Sequence, residues 1–147
     1  MLEQPKIFNY CNVSELISIG GQPNIHQFKS LKEAGKKVVF QLVVEEAEYS
    51  VTNEVDHVTD LDLEHESMNI SYAKPSGENV QQFINILEKH KAEPIYVHCA
   101  VGYCTSGLMV IYLMKTRQLS FENAKQLVVP DWQPSPIWTE LIQTYID

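Results

Sequence analysis

The sequence predicts an α/β domain of three layers, with a central, mostly parallel sheet of four or five strands flanked by helices. Three observations carry this expectation. Short β-branched runs alternate along the chain with segments of helical periodicity. Val38–Val44 (VVFQLVV) is almost wholly apolar, as a strand buried on both faces must be. The 147 residues, 44% hydrophobic and 20% charged, can bury one core without disulfide or metal staples, so a single domain over residues 1–147 is expected.

Each element has a local reason. Leu16–Ile19 is a short apolar strand halted by the turn Gly20-Gly21-Gln22-Pro23. Asn24 suits an N-cap for a helix over Ile25–Ala34, with Ile25, Phe28 and Leu31 on one face and Gly35 at the stop. Asn69–Ala73 reads as a strand stopped by Lys74-Pro75. Ser76 then caps a helix reaching about Lys91, with Val80, Phe83, Ile84 and Leu87 at core spacing. Pro94 opens a strand over Ile95–His98. Thr105–Arg117 is apolar all round at its centre, which predicts a buried helix. Ser120 caps a short helix to Val128. Ser135 caps the last helix, with Pro136 at its first position and Ile137, Trp138, Leu141, Ile142 and Tyr145 facing inward.

Charge and composition exclude several functions. A net charge of −8 lacks the basic stripe of a nucleic-acid binder. No apolar run reaches the roughly 18 residues of a membrane span. No basic region precedes an apolar core at the N-terminus, so a cytoplasmic protein without a signal peptide is expected. Cys11, Cys99 and Cys104 are too few for a disulfide framework and read as reduced thiols or a redox pair, with Cys11 in the core. Glu45–Glu66 holds nine of the nineteen acids and no Lys or Arg. It reads as a solvated acidic face whose Val55, Val58 and Leu61 weakly favour a helix. A metal set from Asp60, Asp62, Glu64 and His65 lacks the turn glycine of a calcium loop. No metal or cofactor is expected.

The segment Ile95–Gly107 (IYVHCAVGYCTSG) carries the chemistry. It reads as strand, tight loop and buried helix, which sets the loop at the carboxyl edge of a parallel sheet. The helix N-terminus offers unpaired N–H groups, and a loop curled onto it makes a nest for a tetrahedral oxyanion. Gly102 allows the left-handed turn or close approach that such a loop needs. A cysteine facing this field is expected in part as the thiolate, the form that attacks phosphorus.

His98-Cys99-x-x-Gly102-x-x-Thr105-Ser106 resembles the His-Cys-x-x-Gly-x-x-Arg-Ser/Thr signature of cysteine-dependent protein-tyrosine and dual-specificity phosphatases. Ile19-Gly20-Gly21-Gln22-Pro23-Asn24, with Phe28, Leu31, Ala34-Gly35 and Val38-Val39, is similar to the opening of small bacterial members. That group also occurs as a domain of beta-lactamase-hydrolase-like proteins. The resemblance implies a three-layer cysteine-phosphatase fold over about residues 7–130. It implies Cys99 as nucleophile, His98 as its support and Ser106 as the hydroxyl that steadies the leaving thiolate. Ala100, Val101, Gly102, Tyr103, Cys104 and Thr105 then line the phosphate. The implied partner is a phosphate-bearing small molecule or a phosphoprotein.

Two parts of the pattern are missing. Thr105 stands where the signature has Arg, and one neutral hydroxyl cannot reproduce a bidentate guanidinium. Arg117 is the only arginine, twelve residues further along the helix and roughly 18 Å away at about 1.5 Å per residue. The family's general-acid Asp has no counterpart in Tyr72–Glu78; Glu78 is the nearest carboxylate there. Lys74 and Gln22, both at expected strand ends, are auxiliary candidates. The resemblance therefore implies a phosphatase with weak or lost hydrolysis. Cys99 and Cys104 have the spacing of the low-molecular-weight tyrosine phosphatase loop, whose two cysteines can pair. A thiol-redox or rhodanese-like sulfurtransferase and a non-catalytic interaction module are the alternatives.

Overall fold

The computed structural model describes residues 4–47 and 51–146. Val38–Val44 forms β3, the apolar centre of the sheet, and lies parallel to both Ile95–His98 (β5) and Glu64–Ile70 (β4). β5 is also parallel to Ile17–Gly20 (β2), and the two-residue Cys11–Asn12 (β1) closes that edge antiparallel to β2. The order is β1-β2-β5-β3-β4.

Alternation along β3 and β5 divides the core between two faces. Val38, Phe40, Leu42, Ile95 and Val97 pack in the larger cluster, with α3 (Gly77–Lys89), α4 (Tyr103–Arg117), α5 (Phe121–Lys125) and α6 (Pro136–Gln143). Val39 and Tyr96 join Phe28 of α1 (Ile25–Glu33) and Val58 of α2 (Glu54–Thr59) in the smaller one. This is the three-layer α/β architecture expected. Every residue of α4 from Cys104 to Leu113 is buried, which is why its sequence shows no polar stripe. Asn24 and Ser76 form reciprocal capping boxes with Gln27 and Asn79, and Ser120 accepts from Asn123 N–H, each worth about 1 kcal/mol.

Several sequence expectations need correction. The strand expected at Asn69–Ala73 is β4, which starts earlier, at Glu64, and ends at Ile70; Ser71–Lys74 is a turn. Its outer residues are polar because β4 is an edge strand, so it lacks the apolar run of β3. Part of the supposedly solvated segment is therefore strand. Another part is α2, whose Glu54 and Val58 are buried; residues 48–50 lie outside the described ones. Ile25 and Ile137 are exposed instead of facing inward. Ser135 precedes α6 but makes no capping bond. α4 begins at Tyr103, two residues before the expected start, so Tyr103 and Cys104 belong to its first turn. Among the described residues no helix is long and apolar enough to cross a membrane.

Candidate active site

β2 and β5 end side by side, Gly20 opposite His98, so the turns that follow leave the carboxyl edge of the sheet together. Backbone bonds fasten them: Gln22 N–H donates to the Ala100 carbonyl at 3.0 Å, and Cys99 N–H to Gly20 at 3.4 Å. Asn9 Nδ2 donates to the Val101 carbonyl at 2.8 Å. Gly102 then reverses the chain at φ 95°, where a Cβ would also lie 3.2 Å from the Gly20 carbonyl carbon and Val129 Cγ2. This turn aims the Gly102 N–H at Cys99 Sγ, 3.1 Å away, and starts α4. The first-turn N–H groups of Tyr103, Cys104 and Thr105 have no intrahelical acceptor at i−4. The Cys99 sulfur thus sits at a helix N-terminus with a loop donor on it, a setting that favours an anion.

A buried polar network lies beneath the loop. His98, fully buried, engages Glu54 Oε2 through Nε2 at 2.8 Å and faces the Cys99 carbonyl through Nδ1 at 3.4 Å. Glu54 opens α2 and also takes His65 Nε2 at 3.0 Å and Gln22 Nε2 at 2.8 Å. Burial pushes the Glu54 carboxyl up. Hydrogen bonds from His65, His98 and Gln22, with the charge interaction of His98, outweigh it and hold the group at about 2. Glu54 thereby joins the two strand ends that flank Cys99. Gln22, expected in the cleft, instead turns its amide to Glu54 and the Pro23 carbonyl. Ser106 donates to the Gly102 carbonyl at 2.8 Å and accepts from Val129 N–H at 3.2 Å. It braces the loop against the segment after α5 and makes no hydrogen bond to Cys99.

The remaining candidates are placed differently. Thr105 is fully buried, and its Oγ1 has no hydrogen-bond partner among the described residues. All three cysteines are free thiols. Burial first, then the proximity of Cys99 and Glu46, pushes the Cys104 thiol far up, so it stays neutral and is a poor redox partner. Lys74 and Glu78 are exposed, and neither bonds to the loop. β3 separates β4 from β5, so the turn after β4 that carries Lys74 does not leave the sheet beside Cys99. Arg117 ends α4, away from the loop.

Sequence reading missed Glu54, Glu46 and Asp131, and considered His65 only in a metal set. Glu46 follows β3 and accepts from Ser71 Oγ and from the N–H groups of Tyr72 and Ala73. The Ser71 hydroxyl, foremost, keeps its carboxyl below the usual range, so it is not a proton donor at neutral pH. Asp131 accepts from the Tyr103 hydroxyl at 3.3 Å, a carboxylate in contact with a loop side chain. A run of acids gives no local signal for which of them is turned inward.

Residues 11–129 match the profile of a family described as a DSP-PTPase phosphatase fused to NAD+ kinase. The chain belongs to this family. Its fold is shared with a DUF442 protein of Shewanella putrefaciens CN-32, at TM-score 0.86 and 26% identity over 95% of this chain and 92% of that one. Tk-PTP in its active form is similar at TM-score 0.78 and 16% identity, covering 93% and 95% of the two chains. PTPMT1 is similar at TM-score 0.73 and 18% identity, covering 92% of each. Among curated proteins none matches.

Proposed function

We propose that this DSP-PTPase domain binds a phosphorylated ligand, a small molecule or a phosphoprotein, in the Cys99–Ser106 loop, with hydrolysis weak or lost. The carrying observation is the Gly102 N–H on Cys99 Sγ at the amino end of α4. In the reaction this supports, the Cys99 thiolate attacks phosphorus, an S–P bond forms and the P–O ester bond breaks. The leaving oxygen takes a proton, and water then cleaves the S–P bond to release phosphate. Backbone amides can hold the phosphate oxygens. The charge that grows on them in flight has no guanidinium, because Thr105 offers one neutral hydroxyl. Removing one such donor typically costs about 10²–10³ in rate, and removing a general acid about 10²–10⁴, without simple multiplication.

The test compares wild type, Cys99→Ser and Thr105→Arg on p-nitrophenyl phosphate under reducing conditions, with vanadate affinity measured alongside. The nitrophenolate leaves without a proton, so this substrate isolates the anion grip from the missing acid. Thr105→Arg should raise turnover by about 10² or more and tighten vanadate binding. Cys99→Ser should abolish turnover. If Thr105→Arg changes neither quantity, the loop does not hold a phosphoryl group as proposed.

A further inference from the structure

We propose that Glu64, Glu66 and His90 form a divalent-cation site of the zinc class, separate from the Cys99 loop and at the opposite edge of the sheet. Glu64 and Glu66 are two residues apart at the start of β4 and so project from the same face. His90 caps the carboxyl end of α3. Its Nε2 lies 2.6 Å from Glu66 Oε2 and 3.3 Å from Glu64 Oε2. One ligand atom from each residue falls within 4.8 Å of the others.

Three features go beyond a meeting of acids. The His90 side chain is 2% exposed, so packing fixes its aim, while the 53%-exposed Glu64 carboxylate is free to adjust onto an ion. The other ring nitrogen, Nδ1, is held by Glu93 Oε1 at 2.8 Å. A carboxylate behind the imidazole is the outer-shell arrangement that orients a metal-ligating histidine. The charges also fit. Glu64, Glu66 and Glu93 face His90, and Lys89 pairs with Glu66 at 2.9 Å. Both ring nitrogens face carboxylates, so His90 carries a hydrogen on each; once the one on Nε2 leaves to solvent as a proton, these groups sum to two negative charges, which one divalent cation cancels. The ion would replace the hydrogen that now joins Nε2 to Glu66. One imidazole nitrogen and two carboxylate oxygens suit Zn²⁺, with a fourth position for water. Glu64 and the His65 considered beside it from sequence lie on opposite faces of β4, and His65 is bound to Glu54.

The experiment titrates the chelator-treated full chain with Zn²⁺ alone, by competition with a chromogenic chelator, and repeats the loading with Co²⁺ for its spectrum. One equivalent should bind, and the cobalt form should lack a thiolate charge-transfer band. Glu93→Gln should weaken binding about 10–100-fold, and Glu64→Gln at least about tenfold. Both positions are exposed enough to leave the fold intact. Cys99→Ser should bind as wild type does. No stoichiometric uptake at about 100 μM Zn²⁺, unchanged affinity in both Glu variants, or a thiolate band would each overturn the site.

Discussion

Replacing Glu54 by Gln should cost the folded state about 3 kcal/mol at pH 6 and almost nothing near pH 2. The Glu54 carboxyl sits at about 2 against an ordinary 4.5, held there by His65, His98 and Gln22 against the upward push of burial. A shift of that size at about 1.4 kcal/mol per unit gives the figure. The folded value is depressed, so the native carboxylate stays ionised after its unfolded counterpart has taken up a proton. The stabilisation is therefore complete above about pH 4.5 and is lost as pH falls toward 2. Urea unfolding of wild type and Glu54→Gln at several pH values between 6 and 2.5 measures it, followed by the fluorescence of the buried Trp132 and Trp138. The gap between the two midpoints should close across that window at equal slope. A gap of constant size from pH 6 to 2.5 would refute the reasoning, because Glu54 would then act by shape and not by charge.

Two further outcomes follow from buried contacts. A Cβ at Gly107 would lie 2.6 Å from the Trp138 ring, which packs α6 onto α4, so Gly107→Ala should lower stability by about 1–3 kcal/mol in urea unfolding. Burial drives Lys36 down to about 8 from 10.5, although its Nζ donates to Ser18 Oγ at 2.8 Å. The unfolded chain then binds more protons between pH 8 and 10.5, so wild-type stability should rise with pH across that window, and Lys36→Met should flatten the rise.

What the sequence disclosed depended on whether a residue's environment was local. β3 was legible because a strand covered on both faces must be apolar throughout. β4 was not, because EHESMNI buries only Met68 and Ile70 and turns its charged residues to solvent or to α3. Two residues, Cys11 and Asn12, are too few to show any period. The Cys99 loop was legible as a motif because strand, glycine and helix N-terminus are contiguous. Its support was not. Glu54 reaches His98 across 44 residues from a segment crowded with acids. Only the assembled sheet, which brings Gln22, His65 and His98 to one point, distinguishes that carboxylate from its exposed neighbours. The same holds for Ser106, whose hydroxyl is occupied by Gly102 and Val129 only once α5 is packed.

Residue 105 can be read from what does not depend on it. The loop is held by Gly102, by the Ser106–Val129 bond, by Gln22 and Asn9 on its carbonyls and by the Glu54–His98 pair. None of these involves the 105 side chain, so the cradle stays built whichever residue stands there. Yet the position holds a buried hydroxyl with no partner among the described residues, which costs about 1–3 kcal/mol, where the isosteric valine would cost nothing for hydrogen bonding. A phosphate oxygen in the loop would give that hydroxyl an acceptor. Thr105→Val should therefore stabilise the ligand-free domain by about 1 kcal/mol in urea unfolding and weaken vanadate binding. If stability rises while vanadate affinity is unchanged, the hydroxyl has no part in the anion site, and whatever grip remains belongs to the backbone amides alone.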